Sequence, residues 1–119
     1  DVAIFATGIM VKRALDAAEA LEKHGVSARV LNVSTIKPLD RAAVVAYAKG
    51  VKAVVTAEEH SIIGGLGSAI AEALRLNPVK MDFVGIQDKF GTSAMDYEEL
   101  LAYYGLTAGD IEKTALSLL

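Results

Sequence analysis

Residues 1–33 have the sequence DVAIFATGIMVKRALDAAEALEKHGVSARVLNV, which decides the class of fold. The apolar run at 2–6 stops at a Thr-Gly pair, which is typical of a strand buried on both faces. A helical stripe follows, and Gly25 stands where a glycine often ends a helix. A second apolar run at 26–33 completes a strand–helix–strand unit. The stripe comprises Val11, Ala14, Leu15, Ala18 and Leu21.

The same alternation continues along the rest of the chain. The segment IKPLD at 36–40 predicts the start of a second helix, with Pro38 near its start and Asp40 in its first turn. Further patterns predict strands at 53–57 and 79–86 and helices at about 65–76 and 96–104, followed by a last helix capped by Thr107. We therefore expect an α/β fold with three layers (α/β/α), in which the sheet has four mainly parallel strands.

The composition of the chain excludes several kinds of site and argues against several kinds of partner. The chain has 119 residues, a net charge of -3 and no cysteine, which suits one domain over 1–119 and excludes disulfides and thiolate metal sites. The basic residues are scattered and no apolar run approaches about 18 residues, so we expect no nucleic acid and no membrane as partner. We find no pattern of a signal peptide and expect a cytoplasmic protein.

The apolar content is high for so short a chain. It reaches 53%, with a mean hydropathy of +0.39, and the sequence opens directly on a strand pattern. We expect a piece of a larger protein that self-associates and has a surface built to be covered. The alternative is a thermostable, alanine-rich domain with trimmed termini.

Polar residues cluster after the third strand. Ligands of open parallel sheets bind outside the carboxyl ends of the strands, and the densest polar group there is Glu58-Glu59-His60. Adjacent carboxylates beside an imidazole are suited to acid–base chemistry. The alternative, which we favour, is that one carboxylate caps the N-terminus of a neighbouring helix.

A glycine-rich segment, GGLGS at 64–68, opens the third helix. Gly65 and Gly67 form G-x-G, but Ile70 stands where the dinucleotide fingerprint has its third glycine. The start of a helix can still hold a phosphate. We favour a structural role, in which the glycines permit a tight turn and a close approach of helix and sheet. The templates of P-loops, nucleophile elbows and histidine zinc sites are missing.

Several segments together resemble a known family. They are ATG at 6–8, AAEAL at 17–21, IKPLD at 36–40 and EEHSIIGGLGS at 58–68. These segments resemble the C-terminal domain shared by transketolases, deoxyxylulose-phosphate synthases and the β subunits of 2-oxoacid dehydrogenases. The tail, with FGTSA at 90–94, EELL at 98–101 and YGLT at 104–107, is similar to the transketolase branch. The resemblance covers nearly the whole chain.

The resemblance implies a fold and a role. The family's domain is a mixed five-stranded sheet whose antiparallel first strand lies at one edge, and this chain starts at what would be the second strand. The whole enzyme belongs to pentose phosphate metabolism and transfers two-carbon ketol units between sugar phosphates. It binds thiamine diphosphate and Mg²⁺ between a pyrimidine-binding and a pyrophosphate-binding domain at a dimer interface.

These 119 residues have no counterpart of the family's cofactor-binding glutamate or Mg²⁺ ligands. We therefore expect no catalytic, cofactor-binding or metal-binding residue and no activity of this domain alone. We expect a homodimer that also contacts the two cofactor-binding domains. One alternative is the domain of a 2-oxoacid dehydrogenase β subunit that docks an acyltransferase. Another is a stand-alone regulatory domain that binds an anion or nucleotide. The candidate effector or anion pocket comprises Thr7, Gly8, Glu59, His60, Gly65, Gly67 and Asp88.

Overall fold

The computed structural model of the chain describes residues 1–33, 39–61, 65–86 and 106–119, except for the side chains of residues 59–61 and 86. The strands are β1 (Val2–Ala6), β2 (Ala28–Asn32), β3 (Ala53–Ser61) and β4 (Lys80–Ile86). The helices are α1 (Met10–Lys23), α2 (Arg41–Ala48), α3 (Leu66–Ala73) and α4 (Ala108–Ser117). Among these helices, none combines the length and hydrophobicity that a membrane span requires. The helix predicted at 96–104 lies outside the described residues.

The four strands form one sheet in the order β2-β1-β3-β4, and each neighbouring pair is parallel. In the register of the sheet, Ile4 of β1 lies between Val30 of β2 and Val55 of β3. All five residues of β1 are buried, as its apolar run predicts. The predicted α/β fold with four parallel strands is confirmed. Within the described residues no antiparallel strand borders either edge of the sheet.

Two apolar cores lie on opposite faces of the sheet and produce the three layers. Successive strand residues point to opposite faces, so Val55 packs against α1 and α4 while Val54 packs against α2 and α3. Ile111 of α4 belongs to the first core, and Ile70 of α3 belongs to the second. Each helix therefore covers one defined side of the sheet, and the strand ends remain between the two helix layers.

Two helix ends follow the local sequence signals. Gly25 has a φ of 75° after α1, and the N–H of Val26 donates to the carbonyl of Leu21 at 3.0 Å. This arrangement satisfies carbonyls at the end of the helix, and glycine adopts it without steric cost. At the start of α4, Thr107 Oγ1 accepts the N–H of Asp110 at 3.2 Å, and Asp110 Oδ2 accepts the N–H of Thr107 at 2.9 Å. Thr107 is thus the predicted cap, and with Asp110 it forms a capping box.

The predicted buried face of α1 is partly wrong. Leu15 is 55% exposed, and Val11 and Ala18 are only half-buried. The residues that face the core are Met10, Ala14, Ala17 and Leu21. Both sets have helical spacing, so periodicity alone cannot choose between them. Helix α4 packs beside α1, and the buried face of α1 is the one that contacts both the sheet and that helix.

The start of α2 and the end of α3 also differ from the prediction. Asp40 is not in the first turn of α2 but precedes it as the N-cap, where its Oδ1 accepts the N–H of Ala43 at 3.0 Å. Pro38 lies outside the described residues. Helix α3 ends at Ala73 rather than near Leu76, whose side chain is 81% exposed.

Candidate functional site

The carboxyl end of β1 lies beside the middle of β3, at the centre of the sheet. Ala6 pairs with Ala57, and the N–H of Thr7 donates to the carbonyl of Ala57 at 3.2 Å. The chain leaves β1 toward β2 on one side and returns to β3 on the other, which makes this place the switch point of the topology. Ligands of open α/β sheets bind at such points. Thr7 follows β1 at this point, and Glu58 lies in β3 one residue beyond the pair of Ala6 and Ala57.

Glu58 is the only charged side chain among the buried residues of the described part of the chain, with 1% of its surface exposed. Its Oε1 accepts the N–H of Leu66 at 3.0 Å, and its Oε2 accepts the N–H of Gly67 at 2.8 Å. Helix α3 begins at Leu66, and its N-cap is Gly65, which has no side chain to cap the helix. Glu58 supplies the missing cap from the neighbouring strand.

This bond pattern explains how a carboxylate can be buried. A buried charge needs partners that replace water, and hydrogen bonds from backbone N–H groups to a carboxylate are strong ones. The first N–H groups of a helix have no partner inside the helix and carry part of its positive dipole end. The carboxylate of Glu58 accepts the N–H groups that have no partner inside α3, and these N–H groups replace the water that the buried carboxylate loses. Of the two interpretations of the 58–60 cluster, the geometry supports the helix cap for Glu58.

Gly67 lies in the first turn of α3, where the helix backbone packs tightly against side chains of β3 and β4. A Cβ atom at this position would lie 2.9 Å from Cδ1 of Phe83 and 3.1 Å from Oγ1 of Thr56. Real Cβ atoms rarely approach other heavy atoms that closely, so a larger residue would force the helix or the side chains of Phe83 and Thr56 to shift. The geometry thus gives Gly67 the packing role that we favoured over nucleotide binding.

Thr56 lies beneath the same turn of α3. It is fully buried, and its Oγ1 has no hydrogen-bond partner in the described part of the chain. Leaving a buried hydroxyl unpaired costs about 1–3 kcal/mol. We therefore expect the Thr56 hydroxyl to reduce the stability of the region around the start of α3.

Most of the chain matches a known protein family. A family model described as "Transketolase, C-terminal domain" matches residues 1–111. The chain belongs to this family. The predicted resemblance, including its transketolase branch, is thereby confirmed. This transketolase C-terminal domain is 53% identical over 117 residues to a 6-deoxy-6-sulfo-D-fructose transketolase subunit of Clostridium sp. (strain MSTE9), with 97% of this chain and 36% of the relative covered.

Two further relatives support the same assignment. A putative transketolase C-terminal section of Methanocaldococcus jannaschii is 45% identical over 115 residues, covering 95% of this chain and 35% of the relative. A solved structure described as a split gene transketolase, inactive β4 tetramer, is 48% identical with a TM-score of 0.93, covering 100% of this chain and 39% of that chain. The chain thus spans little more than a third of the length of the proteins it matches. The domain belongs to a family of enzymes.

The predicted pocket residues of this transketolase C-terminal domain fall into three groups. Thr7, half-buried, and Gly8, exposed with a φ of 56°, form the turn between β1 and α1. Gly65 and Gly67 lie at the start of α3, on the opposite face of the sheet from α1. The backbone of residues 59 and 60 continues β3, but their side chains and Asp88 lie outside the described residues. The structure therefore places Thr7 and Gly8 at the switch point, whereas the N–H of Gly67 donates to the capping carboxylate of Glu58.

Thiamine diphosphate and Mg²⁺ do not fit the residues that the structure describes. Within 1–33, 39–61, 65–86 and 106–119, no group of three or more histidine, aspartate or glutamate side chains is placed to hold a metal ion. The N–H groups of Leu66 and Gly67, which a diphosphate would need at the start of α3, already donate to Glu58. The carboxylate of Glu58 would also repel a phosphate there. We assign no chemical step to the cofactor in this domain.

One polar contact had no signal in the sequence. Nη1 of Arg29 on β2 donates to the carbonyls of Tyr47 and Lys49 at 3.1 and 3.3 Å. These carbonyls lie at the end of α2, where a cation is favourable because the helix dipole is negative. Arg29 and Tyr47 also line a shallow groove beside the outer strand β2. The partners lie 18 and 20 residues from Arg29 in the chain, so no local motif reveals the contact.

Proposed function

We propose that this chain is the C-terminal assembly domain of a transketolase-type thiamine diphosphate enzyme, which transfers two-carbon ketol units between sugar phosphates. The similarity to the split gene transketolase carries the proposal, because that structure matches the whole of this chain while 61% of its own chain lies outside the match (100% less the 39% covered). In the complete enzyme the domain packs against the pyrimidine- and pyrophosphate-binding domains and against a second copy of itself.

The arrangement at the carboxyl edge supports a role in architecture. Glu58 belongs to the cluster at 58–60 that the sequence offers for acid–base chemistry, yet both its oxygens bind the start of α3. A general acid or base needs to reach a substrate proton within hydrogen-bond distance. A buried carboxylate engaged on both oxygens is poorly suited to that task. We therefore propose that the domain alone binds no cofactor and is inactive.

The proposal is tested by three measurements on the purified 119-residue chain. Titration calorimetry with thiamine diphosphate and Mg²⁺ is expected to give no saturable heat, and a coupled assay with a ketose phosphate donor and an aldose phosphate acceptor is expected to give no turnover. Light scattering is expected to give the mass of a dimer or larger species. Turnover by the chain alone would refute the assembly role, and a monomer at high concentration would refute self-association.

A second experiment tests whether this domain supports ketol transfer by the pyrimidine- and pyrophosphate-binding domains. A protein that carries the pyrimidine- and pyrophosphate-binding domains is purified with and without this domain. Ketol transfer is expected to rise when the chain is added and to saturate at one chain per two-domain protein. As a control, the variant Glu72→Ala, which changes an exposed side chain, is expected to give the same increase in ketol transfer. Full ketol transfer without the chain would contradict the proposal.

The effector pocket remains a second, smaller proposal. Because Gly67 is engaged by Glu58, an anion would have to bind at the turn of Thr7 and Gly8, where the N–H groups of Met10 and Val11 already donate to the carbonyls of Thr7 and Gly8 at 3.1 and 3.2 Å. A thermal-shift titration with inorganic phosphate and with sugar phosphates tests it, since a ligand that binds only the folded state raises the Tm. An unchanged Tm up to millimolar ligand would remove the pocket and leave the assembly role intact.

A further inference from the structure

We draw no further inference here: the strongest candidate, the open edge of β2 with the shallow groove beside it that Arg29, Val30, Ala46 and Tyr47 line, carries none, because nothing in the structure shows what covers it.

Discussion

The contact of Glu58 with the start of α3 gives the sharpest test of the site. In Glu58→Ala, the N–H groups of Leu66 and Gly67 lose their acceptors, which lie at 3.0 and 2.8 Å. Loss of an ordinary N-cap costs about 0.5–2 kcal/mol, and a hydrogen bond to a charged group contributes about 1.5–3 kcal/mol. Two such bonds set an upper limit near 6 kcal/mol. Relaxation of the turn and entry of water reduce this limit.

We expect Glu58→Ala to lower the free energy of unfolding by about 3 kcal/mol, which corresponds to a decrease in Tm of about 10 °C for a domain of this size. Glu58→Gln keeps the shape but has only one acceptor oxygen, and its NH₂ group faces an N–H donor. It is expected to lose about half as much. Glu72→Ala, on the exposed side of the same helix, is the matched control and should change stability by less than about 0.5 kcal/mol.

The assay is urea unfolding of each variant, followed by far-UV circular dichroism, together with hydrogen exchange of the amides of residues 66 and 67. The capped amides are expected to exchange faster in both Glu58 variants and at the original rate in Glu72→Ala. If Glu58→Ala cannot be purified folded, Glu58→Gln still gives the comparison. A loss below about 0.5 kcal/mol in Glu58→Ala, with the two amides still protected, would refute the reasoning.

Three further substitutions test the packing, and all are measured by chemical unfolding. Gly67→Ala is expected to lower stability by about 1–3 kcal/mol because its Cβ would lie 2.9 Å from Phe83. The control Gly109→Ala, whose nearest neighbour would be 3.7 Å away, should be neutral or stabilising, and equal effects of the two would contradict the close-approach argument. Thr107→Ala removes the cap of α4 and should cost about 0.5–2 kcal/mol, whereas no loss would show that the capping box contributes nothing. Thr56→Val removes an unpartnered buried hydroxyl and should leave stability unchanged or raise it by about 1 kcal/mol, so a clear loss would mean that the hydroxyl has a partner.

Part of the candidate site was predictable because its signals are local. The polar run at 58–60 and the glycines before α3 are visible in the chain order alone, and both structural interpretations, a capping carboxylate and a close helix–sheet approach, agree with the geometry. The sequence predicts that run just beyond a strand at 53–57, whereas the structure places it inside β3, which extends to Ser61. The sequence did not say which of the two glutamates is the cap. The alternation of side chains along β3 decides this. Glu58 points to the same face of the sheet as Thr56, and α3 covers that face.

The sequence by itself determined the features that depend on neighbours in the chain. The alternation of strands and helices, the glycine after α1 and the cap of α4 rest on the period of apolar residues and on bonds spanning a few residues. Only the tertiary structure decided which face of α1 is buried, because α4 packs against it from nearly ninety residues away, as in the 3.0 Å contact of His24 with Glu112. It also decided that Arg29 binds the end of α2. Such contacts depend on how distant elements are placed, and periodicity along one element carries no information about that placement.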